Sequence, residues 1–248
     1  MSVRGGGLQR VVAIFIKDLK SYYSKAPVIS WGILFPLTVI ALLDLSARML
    51  GEYRVVPAML SITMLFASTS MSQVAVSFEK LSGAMQRVLY MPVGSAELVV
   101  AKSLGGIIYG IGGTGLAGIL AYIMTGHVAM IRPAYFLAGV VLGSTLYSAL
   151  SVLVSLYYNP VQAVAVLNII RFSMIFLGGT LFPKALLPRI LAGLAYFFPS
   201  VYITDLLRFG MYNTWEYVDP LTSLIVTAIL LAATLYIAHR LALKVMLP

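Results

Sequence analysis

The segment VVPAMLSITMLFASTSMSQVAVSFEKLSGAMQRVLYMP, residues 55 to 92, decides the fold class. Its first part, 55–78, carries no charge. It is long enough as a helix to cross a bilayer core, which takes about 20 apolar residues. Its second part is built differently. Glu79, Lys80, Gly83, Gln86 and Arg87 recur at helical spacing, and Phe78, Leu81, Met85, Val88 and Leu89 recur on another side. Pro92 ends the pattern, and Gly94-Ser95 turn the chain toward the next apolar run. The reading is a membrane span followed by a short two-faced helix, 79–92, with its charged side toward water.

The rest of the chain repeats the first of these patterns. Of 248 residues, 60% are hydrophobic and 10% charged, against about 45–50% and about 25% in a soluble domain. Mean hydropathy is +0.97. These values predict an all-α polytopic membrane protein. Six runs have the length for a span: 28–45, 55–78, 98–125, 135–158, 161–182 and 221–243. Pro36 predicts a kink in the first. The connections are short, so 1–248 reads as a single transmembrane domain. Residues 1–27 do not read as a cleaved signal peptide, because Lys17, Asp18, Lys20 and Lys25 interrupt any apolar core.

Six spans put both termini on one side. The segment before the first span holds Arg4, Arg10, Lys17, Lys20 and Lys25 against Asp18 alone, which predicts a cytoplasmic location for both ends. The net charge of +9 sits mainly between apolar runs. There it sets topology and meets lipid head groups, so the expected partner is the bilayer and not nucleic acid.

Two further elements do not span. In 7–27, Leu8, Val11, Val12, Phe15, Leu19, Tyr22 and Tyr23 recur at helical spacing opposite Arg10, Lys17 and Lys20. This predicts an amphipathic interface helix with its lysines outward. In 183–200, the apolar run between Pro188 and Pro199 is too short to cross the core and follows Pro183. It predicts a re-entrant segment at the outer face.

Catalytic chemistry finds no support. There is no Cys, and the two histidines, His127 and His239, fall far apart near expected helix ends. No metal-binding motif occurs. Ala101-Lys102-Ser103 lacks the glycine that a phosphate-binding loop needs for its backbone N–H groups to cradle phosphate. No enzyme activity, cofactor or metal is therefore expected in this chain. Arg171 stands deep in a span with Asn168 three residues before it. Charge at that depth lines a pathway, meets another subunit or pairs with a neighbouring helix. Gly106/Gly110 and Gly139/Gly143 have the spacing for close helix approach, within one subunit or between two.

Two blocks carry a family resemblance. One is Glu79-x-x-x-Gly83 followed by Leu89-Tyr90-Met91-Pro92-Val93. The other is GGTLFPKALLPRILAGLAYFFPSVYITDLLR, residues 178–208, which contains Pro183, Pro188, Pro199, Asp205 and Arg208. In this order, after an amphipathic N-terminal helix, they resemble the membrane subunit of an ATP-binding-cassette transporter of the type-2 exporter permease family. The resemblance implies a dimer of permease subunits, identical or not, in the plasma membrane. It implies a separate cytoplasmic ATPase that binds ATP and Mg. Glu79, Lys80, Gly83, Gln86, Arg87 and Pro92 would form the coupling helix docking on that ATPase, beside the interface helix with Arg10, Lys17 and Lys20. The pathway would run between subunits, lined by spans like the second and fifth. A large external domain is missing, which leaves the cargo open. The alternative is a self-contained secondary transporter or channel using Arg171 and a broken helix near Pro183.

Overall fold

A computed structural model describes residues 7–20, 52–85, 93–125, 128–180 and 184–246. The expected first span, 28–45, lies outside the described residues. So do residues 21–27 of the interface helix, Gln86, Arg87 and Pro92 of the two-faced helix, and Pro183.

The described residues form eight α-helices and no strand: α1 (Gly7–Asp18), α2 (Glu52–Leu81), α3 (Ser95–Thr125), α4 (Pro133–Tyr157), α5 (Pro160–Phe176), α6 (Arg189–Leu194), α7 (Pro199–Tyr212) and α8 (Pro220–Met246). Four of them, α2, α3, α4 and α8, are long and apolar enough to cross a membrane; the bent pair formed by α6 and α7 makes five if counted as one span. The multi-pass helical class expected from hydropathy holds. The expected fifth span is shorter than its run 161–182: α5 has 17 residues and ends at Phe176, about 26 Å against a core of about 30 Å. The chain leaves the helix at Gly178, whose backbone packs against Ser200, and turns at Gly179 with φ +65°.

Helix α2 is the hub. Its most apolar stretch is wholly buried, and α3, α4, α5 and α7 pack around it. Met64, Leu65 and Phe66 join Leu146, Tyr147, Ile203 and Leu207 in one apolar cluster. Between membrane helices lipid is as apolar as leucine, so close backbone approach and small hydroxyls supply the grip. Ser72 donates to Ser148 Oγ at 2.6 Å, and Ser148 donates to the Ser103 carbonyl at 2.6 Å. Ser151 donates to the Thr69 carbonyl at 2.6 Å, and Thr204 to Ser61 Oγ at 2.9 Å. A Cβ at Gly106 or Gly110 would overlap Ser68, Ser72, Ser144 or Ser148. Gly139 and Gly143 pack less tightly: a Cβ would lie 3.1 Å from Leu206 at Gly139, and 2.8 and 2.9 Å from Met64 and Ile203 at Gly143. Both spaced glycine pairs therefore serve packing within the subunit.

Side-chain contacts fix which helix ends share a pole. His239 Nδ1 lies 3.0 Å from Ser95 Oγ, joining α8 to the start of α3. Lys80 Nζ donates to the carbonyls of Leu156 and Tyr158 at 2.7 and 2.9 Å, tying the end of α2 to the end of α4. Helix α1 packs at this pole through Val11 and Ile14 against Leu98 and Ala101. At the opposite pole the Ile131 and Arg132 N–H groups donate to the carbonyls of Met211 and Gly210.

Two expected boundaries are corrected. The helix does not restart at Glu79. Helix α2 runs through Glu79 and Lys80 to Leu81, and the break is a turn at Ser82-Gly83, where Gly83 has φ +68°. Nothing in the sequence from 78 to 81 interrupts the backbone ladder, and a positive φ favours glycine. Likewise, the helical structure does not stop at Pro199, near where the expected re-entrant segment 183–200 ends. Pro188 precedes α6, a 3₁₀ turn follows at Ala195–Phe197, and the chain bends by 89° into α7, which Pro199 opens. Proline suits the first position of a helix, where its missing N–H costs nothing. Residues Val201 to Leu207 of α7 are buried throughout.

Candidate coupling junction and membrane cleft

At the pole that carries α1, four charged side chains converge from three helices. Asp18 ends α1, Glu79 lies in the last turn of α2, and Lys102 lies in the third turn of α3; all three are fully buried. Lys102 Nζ stands 2.7 Å from Asp18 Oδ2 and 2.6 Å from Glu79 Oε2. Lys17 completes the set, donating to Glu79 Oε1 and lying 3.4 Å from Asp18 Oδ1. Two carboxylates and two ammonium groups balance. Burial pushes the Asp18 carboxyl above its usual range, and the Lys102 charge and hydrogen bond oppose that shift. Beside the cluster, Arg10 pairs with Glu97 at 3.4 Å. Glu97 also accepts from the Gly94 N–H at 3.0 Å, closing the start of α3 as a capping box does.

This corrects the expected orientation of two side chains. Glu79 does not face water: it is the buried anion joining α2 to α1 and α3. Lys17 turns inward to it, while Lys20 is exposed. The buried face of α1 is Val11, Ile14 and Asp18, and Leu8, Val12 and Leu19 are exposed. Helical spacing located the stripe but not its facing, which tertiary ion pairing sets. Asp18 and Lys102 were missed as functional candidates. Their signal was singularity: Asp18 is the lone acid among N-terminal bases, and Lys102 the lone charge in the run 98–125.

On another side of α2 lies a cleft of about 640 Å³ between α2 and α5, bordered by Ser70, Gln73, Ser77, Asn168 and Arg171. Arg171, 3% exposed, is held by three contacts. Its Nε donates to Thr69 Oγ1 at 2.7 Å, its Nη1 to Asn168 Oδ1 at 3.0 Å, and its guanidinium lies 5.3 Å from the Phe66 ring centroid. Its Nη2 has no hydrogen-bond partner among the described residues, nor do the Ser70 and Ser77 hydroxyls. The two residues singled out by sequence, Asn168 and Arg171, are thus brought together on a polar wall of this cleft.

Asp205 and Arg208 form a third centre. Asp205 is fully buried and lies 2.6 Å from Arg208 Nη1. It accepts the N–H groups of Glu216, Tyr217 and Val218 at 3.1, 2.8 and 2.9 Å. Arg208 also reaches Glu216 at 3.4 Å. A carboxylate holding three amides is a strong local anchor, and this one fixes the loop between α7 and α8.

No curated protein matches the chain. The sequence pattern of the ABC-2 type transporter family, however, matches residues 9–212, from the first turn of α1 to the end of α7, and the chain belongs to that family as a membrane-embedded permease component.

Proposed function

We propose that the chain is the permease subunit of an ATP-driven exporter, pairing with a second permease subunit and with a separate cytoplasmic ATPase that binds ATP and Mg. It sits in the plasma membrane with both termini cytoplasmic. One observation carries this reading: the buried cluster of Lys17, Asp18, Glu79 and Lys102 locks the interface helix α1 to the ends of α2 and α3, beside the turn at Gly83. A soluble ATPase docked on the segment after that turn, including Gln86, Arg87 and Pro92, pushes on an element with little freedom to yield. The displacement passes along α2, whose other side borders the cleft with Arg171. Glu79 then acts as a brace for coupling and not as a docking contact. The cleft between α2 and α5 is the half-pathway completed by the second subunit.

The experiment is co-expression with a candidate cassette ATPase, reconstitution in liposomes, and measurement of cargo-stimulated ATP hydrolysis. Arg87→Glu should weaken the complex, whereas Lys102→Met should leave the complex assembled but uncouple hydrolysis from transport. Transport driven by an ion gradient without any ATPase would overturn the reading in favour of a secondary transporter.

A further inference from the structure

A second cleft, of about 380 Å³, lies between α4 and α8 at the pole that carries the ion cluster. Its wall is aliphatic, with Leu153 on α4 and Ile237 and Leu241 on α8. Its rim is basic: Arg240 and Lys244 stand one helical turn apart on α8, and both are exposed. Among the described residues no carboxylate pairs with either. The acids of this pole, Asp18, Glu79 and Glu97, are engaged by Lys17, Lys102 and Arg10. Tyr157, 69% exposed, closes the α4 side.

The depth of this rim follows from helix length. Helix α8 has 27 residues, about 40 Å, which exceeds the core by about 10 Å. Arg240 and Lys244, in its last two turns, fall where lipid phosphates lie, and tyrosine prefers the same layer. Positive charge over an aliphatic groove matches one chemistry, an anionic head on an acyl chain. We propose that this cleft is a binding site for a single anionic phospholipid, its phosphate between Arg240 and Lys244 and one chain along Leu153, Ile237 and Leu241. The site stands whether or not the chain is an exporter.

The test uses the full chain in nanodiscs of phosphatidylcholine, titrated with phosphatidylglycerol, with bound lipid counted by native mass spectrometry. One phosphatidylglycerol should be retained per chain. The variant R240Q/K244Q should lose affinity by roughly thirty-fold, the effect of two basic residues at about 1 kcal/mol each. Ile237→Trp keeps both charges and fills the groove, so it should also lose the retained lipid. Melting temperatures of both variants should stay near the parent's, since all three residues are exposed. Unchanged retention in R240Q/K244Q overturns the proposal. Retention intact in Ile237→Trp but lost in R240Q/K244Q also overturns it, because diffuse surface attraction then explains the binding. If R240Q/K244Q keeps lipid but loses an acidic protein partner, the basic pair is a protein-docking patch and the lipid site is refuted.

Discussion

Replacing Lys102 with methionine tests the junction most directly. The side chain is fully buried and is the shared cation of two buried carboxylates, at 2.7 Å from Asp18 and 2.6 Å from Glu79. Methionine keeps most of the volume and removes the charge. Asp18 and Glu79 are then left facing one another with only the half-exposed Lys17 between them. Removing one partner of a buried pair costs about 3–5 kcal/mol, because the orphaned charge stays out of water. For a chain of this size that corresponds to a loss of about 6–20 °C in melting temperature. The loss should depend on pH. In the parent, Asp18 titrates above 3.8, so its ionised form is a burden at neutral pH that is relieved as pH falls through the raised value. Without Lys102 that value rises further, and protonation relieves the variant more than the parent. The difference between the two should therefore be largest near neutrality and shrink as pH is lowered. Thermal denaturation in one fixed detergent across this range measures both effects. The variant Lys102→Met/Glu79→Gln should recover part of the loss. A cost below about 1 kcal/mol, or one that grows toward acid pH, would refute the junction as described.

Three other outcomes are expected. Arg171→Met removes a buried cation that no carboxylate balances among the described residues, so stability should change by only about 1 kcal/mol, while transport falls about tenfold or more; a large melting shift would make Arg171 a structural residue. Gly106→Ala places a methyl against Ser68 and Ser72 and should cost about 1–3 kcal/mol, whereas Gly115→Ala, with open space around it, should be close to neutral by the same assay. Asp205→Ala frees three amides and leaves Arg208 only its longer pairing with Glu216, and should cost about 3–5 kcal/mol. Hydrogen exchange should rise selectively at residues 216–218, and uniform protection there would contradict the anchor.

Much of the candidate machinery was legible in the sequence as pattern and hidden as arrangement. Asn168 and Arg171 were readable because a charge at membrane depth is expensive and demands a reason. The spaced glycines were readable as close contact, although only the packing of α3 on α2 and α4, and of α4 on α2 and α7, assigns them to the subunit interior. Helix α7 was obscured because Thr204, Asp205 and Arg208 lower its hydropathy. Thr204 is buried by its bond to Ser61 on α2, and Asp205 and Arg208 by pairing with one another and with the loop at 216–218, partners that hydropathy does not see.

The stretch around Glu79 marks where sequence stops. By itself the sequence determined that this is a multi-pass helical membrane protein with an amphipathic helix over residues 7–18, because apolar length and the 3.6-residue period are local properties of the chain. Only the tertiary structure decided that Glu79 faces inward. Its orientation depends on Lys17 and Lys102, 62 residues away on one side and on a third helix on the other. A buried charge is settled by what opposes it, and that is a fact of packing, not of spacing.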